Sequence, residues 1–215
     1  LQTIRIGLPA GVQGSLFSLS NVVIQSSINS FGAIIVAGNS AAGNIEGFVF
    51  VAMSAFSQAI VAFVSQNLGA GKYERINKVV VITQLCVIFI GLVMGNAVYF
   101  MGEQLLELYS DSAMVVEAGV RRLAIVCTTY ALAGMMDVMV GALRGLGYSV
   151  MPMIVSLLGV CAFRLVWIDV LFHSTKYHVI ETIYVAYPLS WALTFTVHLI
   201  CFCIVRAKKK MVWGI

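Results

Sequence analysis

The chain contains long apolar runs that are almost free of charge, and this feature restricts its fold more than any other. No charged side chain occurs between Arg5 and Glu46. Hydrophobic residues make up 60% of the 215 residues and charged residues only 10%, whereas soluble domains carry about 25% charged residues. Because about 20 apolar residues in a helix are enough to cross a bilayer, the sequence predicts a multi-pass α-helical membrane protein.

The apolar runs divide into six segments of the right length. The uncharged run after Arg5 would form a helix of about 60 Å, twice the hydrocarbon thickness, so we expect a turn in its glycine- and asparagine-rich part, 29–44. The fold class is therefore all-α, a polytopic bundle of six transmembrane helices. Because the sequence starts at Leu1 and not at Met, we expect a fragment of a longer chain. The predicted spans are 7–31, 45–68, 77–101, 120–143, 151–172 and 182–205, followed by a basic tail, 206–215.

Basic residues between the runs predict the orientation. If the N-terminus is inside and the spans alternate, the outer segments hold Arg121, Arg122 and Lys176. The inner segments hold nine: Arg5, Lys72, Arg75, Lys78, Arg144, Arg206, Lys208, Lys209 and Lys210. The positive-inside rule then places both termini in the cytoplasm of a cell-membrane protein. The net charge of +4 is dispersed over these short clusters, so nucleic acid is not an expected partner.

A carboxylate interrupts the fourth predicted span. Asp137 lies in a run that is otherwise apolar from Leu123 to Leu143, and inserting it into a bilayer costs about 2.5–3.5 kcal/mol. We expect it to face protein or water, and an interhelical hydrogen bond or a cap on the turn at Arg144 is the structural alternative to a functional role. Helical spacing puts it on a small, polar face that also carries Tyr130, Ala133, Gly134, Gly141 and Arg144.

Polar side chains also follow one face of the first span and recur in the second. Ser18, Asn21 and Gln25 are spaced i, i+3, i+7, which is one helical stripe. Gln58 is one of several polar residues in the second span. Such residues often only bond neighbouring helices. Three polar faces, on the first, second and fourth spans, can instead enclose a cavity, and both interpretations stay open.

Arg164 is a second charge within a predicted span. It lies about 14 residues, or roughly 21 Å, from the cytoplasmic end of its helix, whereas Asp137 lies about 6 residues, or roughly 9 Å, from that side. This difference in depth argues against a direct ion pair. Arg164 then either binds carbonyls and amides of neighbouring helices, snorkels outward, or supplies supporting buried charge to a site.

Catalytic and metal-binding patterns are not found. The five cysteines all fall in apolar runs without zinc-type pairing, and His173, His178 and His198 are not clustered. No Ser–His–Asp, HExxH or phosphate-loop pattern occurs. The sequence therefore predicts neither an enzyme, nor a metal site, nor a bound cofactor.

Three segments resemble transporters of the MATE (multidrug and toxic compound extrusion) family. IRIGLPAGVQGSLFSLSN resembles the start of the family's seventh helix, and AMSAFSQAIVAFVSQNLGAGKYERIN resembles the eighth helix and the loop after it. GALRGLGYSVMP resembles the turn between the tenth and eleventh helices. The resemblance covers essentially the whole chain and implies the C-terminal six-helix lobe of a twelve-helix exporter. The residues that carry the motifs are Gln66, Leu68, Gly69, Ala70, Gly71, Leu143, Arg144, Gly145, Gly147 and Pro152.

The resemblance implies export of organic, often cationic, compounds in antiport with sodium ions or protons. The expected partners are the lipid bilayer, a small-molecule substrate and an N-terminal six-helix lobe outside these 215 residues. Asp137 lies in the helix matching the tenth, about one turn closer to the Leu-Arg-Gly motif than the carboxylate that some members carry there. As a hypothesis, Asp137 binds the coupling ion or an organic cation, and Tyr130 stacks on aromatic substrates. The residues expected to line a central cleft are Asn21, Gln25, Gln58, Tyr130 and Asp137.

Three other functions are weighed against export. A lipid-linked saccharide flippase of the same superfamily would need a strongly cationic cavity, for which the chain offers Arg164 and Arg144. A membrane-embedded enzyme would need clustered histidines or carboxylates at one membrane face. A purely structural subunit would show scattered polar positions instead of stripes that converge at one depth.

Overall fold

A computed structural model describes residues 2–172 and 178–213, with side chains described for 7–172 and 178–208. Every regular element in these ranges is helical, which confirms the all-α prediction. Two π-helical segments, π1 (Leu157–Ala162) and π2 (Ile168–Phe172), flank α8. The α-helices are α1 (Gln2–Asn29), α2 (Ala33–Gly69), α3 (Tyr73–Phe100), α4 (Gly102–Glu107), α5 (Ala113–Val126), α6 (Tyr130–Gly145), α7 (Val150–Ser156), α8 (Phe163–Trp167) and α9 (Ile180–Trp213).

Four helices of the described chain are long and apolar enough to cross a membrane. They are α2, α3, the continuous helix Val150–Phe172 and α9 through Lys208. Helices α5 and α6, which are bent by 49° relative to each other, make a fifth span when they are counted together. Helix α1 has 28 residues but is not among these, so the first of the six predicted spans stays a prediction.

The predicted turn between the first two spans was too broad. Only residues 30–32 leave the helix, and Gly32 has φ 90°, a conformation that favours glycine. Residues 33–44 belong to α2, whose 37 residues extend for about 55 Å. The small residues that we interpreted as turn signals allow a close contact between helices instead. A Cβ on Gly38 would lie 2.6 Å from the carbonyl oxygen of Val115 in α5.

The fourth predicted span, 120–143, is not one straight helix. It consists of α5 and α6, which are separated by residues 127–129. The hydroxyls of Thr128 and Thr129 each donate to the carbonyl oxygen four residues earlier, at 2.7 Å, and such bonds compete with the backbone ladder and bend helices. The bend separates the buried face of α5 from the face of α6 that carries Asp137.

The predicted boundary between the last span and the tail also differs from the structure. The predicted tail, 206–215, continues α9 through Trp213, and residues 214 and 215 lie outside the described part. Lys176 and His173 also lie outside the described residues, and the side chains of Arg5, Lys209 and Lys210 lie outside the described side chains.

Helix α6 lies in the interior of the bundle and contacts α2 and α3 closely through glycines. A Cβ on Gly141 would lie 2.6 Å from the carbonyl oxygen of Ser57, and a Cβ on Gly91 of α3 would lie 2.8 Å from the Cα of Ala131. Small residues at such contacts allow helix backbones to pack closely in a membrane. Helix α3 turns large apolar side chains such as Phe89 and Leu85 outward, as expected for a helix that faces lipid.

Gly38→Ala should destabilise the bundle. The added methyl group would meet backbone atoms of α5 at 2.6–2.8 Å, and such overpacking costs about 1–3 kcal/mol. Gly47→Ala, in the same helix, is the matched control, since a Cβ at Gly47 has nothing within 4 Å. Thermal unfolding of the purified protein in detergent should show a lower midpoint for Gly38→Ala alone. Equal midpoints for the two variants would contradict the close α2–α5 contact.

Candidate functional site

A cavity of about 200 Å³ lies between α1, α2, α6, the helix Val150–Phe172 and α9. We call it the central cavity. Its wall combines aromatic rings with a few polar groups, and Asn21 and Phe50 are exposed at its edge. The residues around it include Phe17, Asn21, Phe50, Tyr130, Met136, Asp137, Arg164, Tyr187 and Trp191.

A second cavity, of about 430 Å³, adjoins the first. Asn21 and Tyr187 line both cavities, so the two spaces meet at these side chains. The wall of the second cavity is mainly polar and includes Gln25, Asn39 and Arg122. The structure thus brings Asn21, Tyr130 and Asp137 around one space, while Gln25 lines the adjoining one.

A buried ion pair joins α5 to α2 beside the second cavity. Arg122 donates from Nε and Nη2 to the two carboxylate oxygens of Glu46, both at 2.7 Å. The side chains are only 9% and 7% exposed. Arg122 Nη1 donates to Asn39 Oδ1 at 2.8 Å, Asn39 Nδ2 donates to Gln25 Oε1 at 3.2 Å, and Gln25 Nε2 donates to Asn29 Oδ1 at 2.9 Å. The network therefore connects α5, α2 and α1.

Arg122 was counted with the charges of the outer segments, but its side chain is buried; the side of the membrane on which it lies stays a prediction. Arg122 is 7% exposed because the helix begins earlier than predicted and turns this side chain towards α2. Its neighbour Arg121 is the exposed member of the two and pairs with Glu117 at 2.7 Å. The sequence did carry a signal: Arg122 continues the face of Ala118 and precedes Val126 by one turn, and both of those residues are buried.

Arg164 is buried as well, with 5% exposure, so the snorkelling alternative is wrong for this residue. Its Nε donates to Ser190 Oγ at 2.9 Å. Its guanidinium carbon lies 4.1 Å from the ring centroid of Tyr187 and 5.7 Å from that of Trp191, which are cation–π distances. No ion pair to Arg164 is found in residues 7–172 and 178–208, and its Nη2 is buried there without a hydrogen-bond partner.

Asp137 is half-buried in the wall of the central cavity. Its backbone carbonyl oxygen accepts a hydrogen bond from Ser57 Oγ at 3.1 Å, which fixes α6 against α2. In the described ranges, no hydrogen bond or ion pair to its carboxylate occurs. Arg144 instead donates from Nη2 to Gln13 Oε1 at 2.8 Å, so neither arginine of the region neutralises Asp137 by direct contact.

Gln58 and Tyr130 have different surroundings. Tyr130 is 8% exposed, and its ring lies 5.4 Å from that of Trp191. Gln58 is exposed and is not part of the wall of either cavity described above. It lies about two turns along α2 from Phe50, which does line the central cavity. The lining role that was predicted for Gln58 stays a prediction.

The two cavities have no evident metal centre. In the described part of the chain, no three His, Cys, Asp or Glu residues come close enough together to hold a metal ion. The chemistry that the arrangement offers is binding: one carboxylate, two buried guanidinium groups, amides and aromatic rings around a shared space.

Comparison with known proteins places this geometry in a family. The MatE profile matches residues 9–168, or 160 of the 215 residues. The chain belongs to the MatE family. This confirms the predicted MATE membership, and since the family consists of transporters, the chain is a multi-pass membrane protein and not an enzyme.

Relatives of the MatE chain are distant in sequence. It is 24% identical to the probable multidrug resistance protein YoeA of Bacillus subtilis over 191 residues, which cover 89% of this chain and 41% of YoeA. It is 23% identical to the probable multidrug resistance protein NorM of Thermotoga maritima over 82% of this chain and 37% of NorM. It is 24% identical to an FAD transporter of Shewanella oneidensis over 53% of this chain and 25% of that protein.

Solved transporter structures show the same fold. The Vibrio cholerae transporter VcmN in its bent form superposes with a TM-score of 0.86 at 22% identity, covering 97% of this chain and 47% of VcmN. A MOP superfamily transporter from Pyrococcus furiosus, described as having a binding pocket of reversed polarity, gives 0.84 at 15% identity, over 95% of this chain and 45% of that one. The MatE chain thus spans about half of these transporters.

Glu46→Gln should destabilise the MatE chain strongly. It would leave Arg122 buried without its counter-ion, and breaking one side of a buried ion pair costs about 3–5 kcal/mol. Changing both partners, Glu46→Gln with Arg122→Gln, should recover much of the loss. Thermal unfolding in detergent measures both effects. Glu117→Gln is the control, because it removes an exposed pair on α5, the helix that carries Arg122, and should change the midpoint little. Equal effects of Glu46→Gln and Glu117→Gln on the midpoint would contradict a structural role for the buried pair.

Proposed function

We propose that this MatE chain forms one lobe of a secondary active transporter that exports small organic compounds across the cell membrane in antiport with sodium ions or protons. The observation that carries the proposal is the position of Asp137: a carboxylate in an apolar helix, half-buried in a cavity wall and without a partner in the described ranges. An intramembrane carboxylate is costly, and binding of a cation offsets that cost.

One carboxylate gives a simple physical basis for exchange. In a site of low polarity, Asp137 binds one positive charge favourably, either a sodium ion, a proton or a cationic group of a substrate. A second cation would find the site already neutralised. Binding of the coupling ion and of a cationic compound are therefore mutually exclusive, which is the requirement for antiport at one site.

The rest of the central cavity suits organic compounds. Tyr130 and Trp191 supply ring faces 5.4 Å apart between centroids, and Asn21 supplies an amide at the edge. The names of two relatives, both probable multidrug resistance proteins, support organic drugs as the substrate class. Gln25 lies in the adjoining cavity, where we assign it to the Arg122 network.

A lipid-linked saccharide flippase remains the second candidate. Buried Arg164 and Arg122 favour it, because phosphate groups need cationic partners. Asp137, with no partner in the described chain, and the names of the relatives favour export. Translocation of a lipid-linked saccharide in proteoliposomes, with no efflux of organic cations, would decide for the flippase.

For orientation, we propose that both termini are cytoplasmic. Contacts support a common basic end of the bundle: Arg206 Nε donates to Asn77 Oδ1 at 2.9 Å, and Arg144 donates to Gln13 near the start of the chain. Because the Arg122 side chain is buried and paired with Glu46, it adds no free positive charge to the outer segments, which favours cytoplasmic termini. The whole transporter would include a second lobe, which we expect to close the cavity from the side of Asn21.

Asp137→Asn in the full-length protein should reduce ion-driven efflux of an organic cation, such as ethidium, by at least about tenfold, equivalent to about 1.4 kcal/mol. The amide keeps the shape but cannot neutralise a cation. Efflux from proteoliposomes with an imposed sodium or proton gradient is the measurement. Glu103→Gln is the control, since Glu103 is exposed on α4. Unchanged efflux and unchanged ion dependence of Asp137→Asn would exclude Asp137 from the mechanism.

The orientation can be tested with single cysteines in a cysteine-free background. Lys72→Cys, in the α2–α3 turn, should be labelled by a membrane-impermeant maleimide only after the cells are opened. Ser110→Cys, between α4 and α5, should be labelled from outside intact cells. The reverse pattern would contradict cytoplasmic termini.

A further inference from the structure

Arg164 carries a buried positive charge that nothing in the described chain neutralises. It is 5% exposed and lies in the wall of the central cavity. The ion pairs of the described side chains involve Arg121 and Arg122, and none involves Arg164. A buried charge without a counter-ion is strongly unfavourable, so this position calls for an anion.

Arg122 provides the contrast within the same molecule. Glu46 binds it through both carboxylate oxygens, and Asn39 accepts its remaining Nη1 donor. The guanidinium groups of Arg122 and Arg164 both stack on Tyr187, 5.3 Å and 4.1 Å from its ring centroid. Among the described residues, the two neighbouring guanidinium groups thus have a single carboxylate, that of Glu46, between them. Glu46 binds Arg122, so the positive charge of Arg164 is left without a counter-ion in the described chain.

The hydrogen bonds of Arg164 leave part of its planar fork unused. Nε donates to Ser190 Oγ, and Ser190 in turn donates to the carbonyl oxygen of Tyr187 at 2.7 Å. Nη2 is buried with no partner in the described part of the chain. A guanidinium edge with free N–H donors binds carboxylate or phosphate oxygens in pairs.

Aromatic rings lie next to this free edge. Trp191 lies 5.7 Å from the guanidinium carbon of Arg164 and has Tyr130 and Tyr187 as ring neighbours at 5.4 Å and 5.9 Å. Rings at these separations offer faces and edges to a further ring. A ligand that satisfies both parts of the site has an oxyanion attached to an aromatic ring system.

We propose that Arg164 recognises an oxyanion on a ring-containing organic substrate, with Trp191 and Tyr130 contacting the ring. The inference rests on the proposed function, because it treats the central cavity as the substrate site, and it adds that the cavity accepts aromatic carboxylates or phosphates besides cations. Asp137 forms no ion pair with Arg164, so the two charges remain available to different groups.

The test is equilibrium binding to the purified full-length protein in detergent. The probes are radiolabelled naphthoate, the matched cation naphthylmethylammonium, and decyl phosphate as a competitor that stands for a lipid headgroup. Naphthoate should bind, and Arg164→Gln should weaken its binding by at least about tenfold. Arg164→Lys, which keeps the charge but not the fork, should weaken it less. Binding of naphthylmethylammonium should not be weakened by Arg164→Gln.

Arg121→Gln is the matched control, because it removes one positive charge at an exposed position of the same chain; it should leave naphthoate binding unchanged. Thermal unfolding identifies a variant that fails to fold. If Arg164→Gln fails to fold, the naphthoate affinity of Arg164→Lys is compared with that of Arg121→Gln instead. The proposal is overturned if naphthoate does not bind, as expected where a carboxylate from elsewhere in the full protein neutralises Arg164. The proposal is also overturned if Arg164→Gln and Arg121→Gln change the affinity for naphthoate equally. It is overturned as well if decyl phosphate binds at Arg164 more tightly than naphthoate does.

Ion-driven efflux of ethidium separates this proposal from the export function. Naphthoate binding that is lost in Arg164→Gln, in a protein whose unsubstituted form drives ethidium efflux along an ion gradient, supports both the oxyanion site and export. Naphthoate binding that depends on Arg164, in a protein without any gradient-driven efflux, supports the site while refuting export.

Discussion

The buried ion pair of Arg122 and Glu46 fixes the position of much else in this bundle. In a medium that supplies no water, two opposite charges and their amide neighbours must satisfy one another or stay outside. Here they bring α5 against α2 and, through Asn39 and Gln25, connect both helices to α1. Arg122 also contacts the ring of Tyr187 in α9. The pair therefore positions the wall between the two cavities, and the shape of the central cavity depends on it.

Much of the fold could be predicted from the apolar runs. In the bilayer core, a single segment can form all of its backbone hydrogen bonds only as a helix. The exact course of those helices did not follow. Glycine and asparagine in 29–44 are compatible with a turn or with a close contact between helices, and only the partner helix decides; Gly38 faces Val115 and belongs to a helix. The bend before Tyr130 depends on which way two threonine hydroxyls point, which a periodicity pattern does not contain.

Part of the candidate site could be predicted from the sequence, and part could not. Asn21, Tyr130 and Asp137 were predicted from helical spacing, which brings residues of one face together, and they line one cavity. The Arg122–Glu46 pair was missed since its members are 76 residues apart and each lies near the end of a predicted apolar run, where charges usually mark loops. Gln58 is also polar and within a predicted span, and it is exposed in this bundle, so its place in a cleft stays a prediction.

The π-helical segments on either side of Arg164 affect how this chain is aligned with its relatives. A π-helical turn accommodates an additional residue without breaking the helix, so the side chains beyond it are rotated relative to an uninterrupted α-helix. Between Leu157 and Phe172 this happens twice. A gap-free alignment to a transporter with a regular helix there would pair Arg164 with a residue on another face. Equivalence at this position has to be judged from superposed coordinates, and a basic residue one place away in a relative can occupy the same point in space.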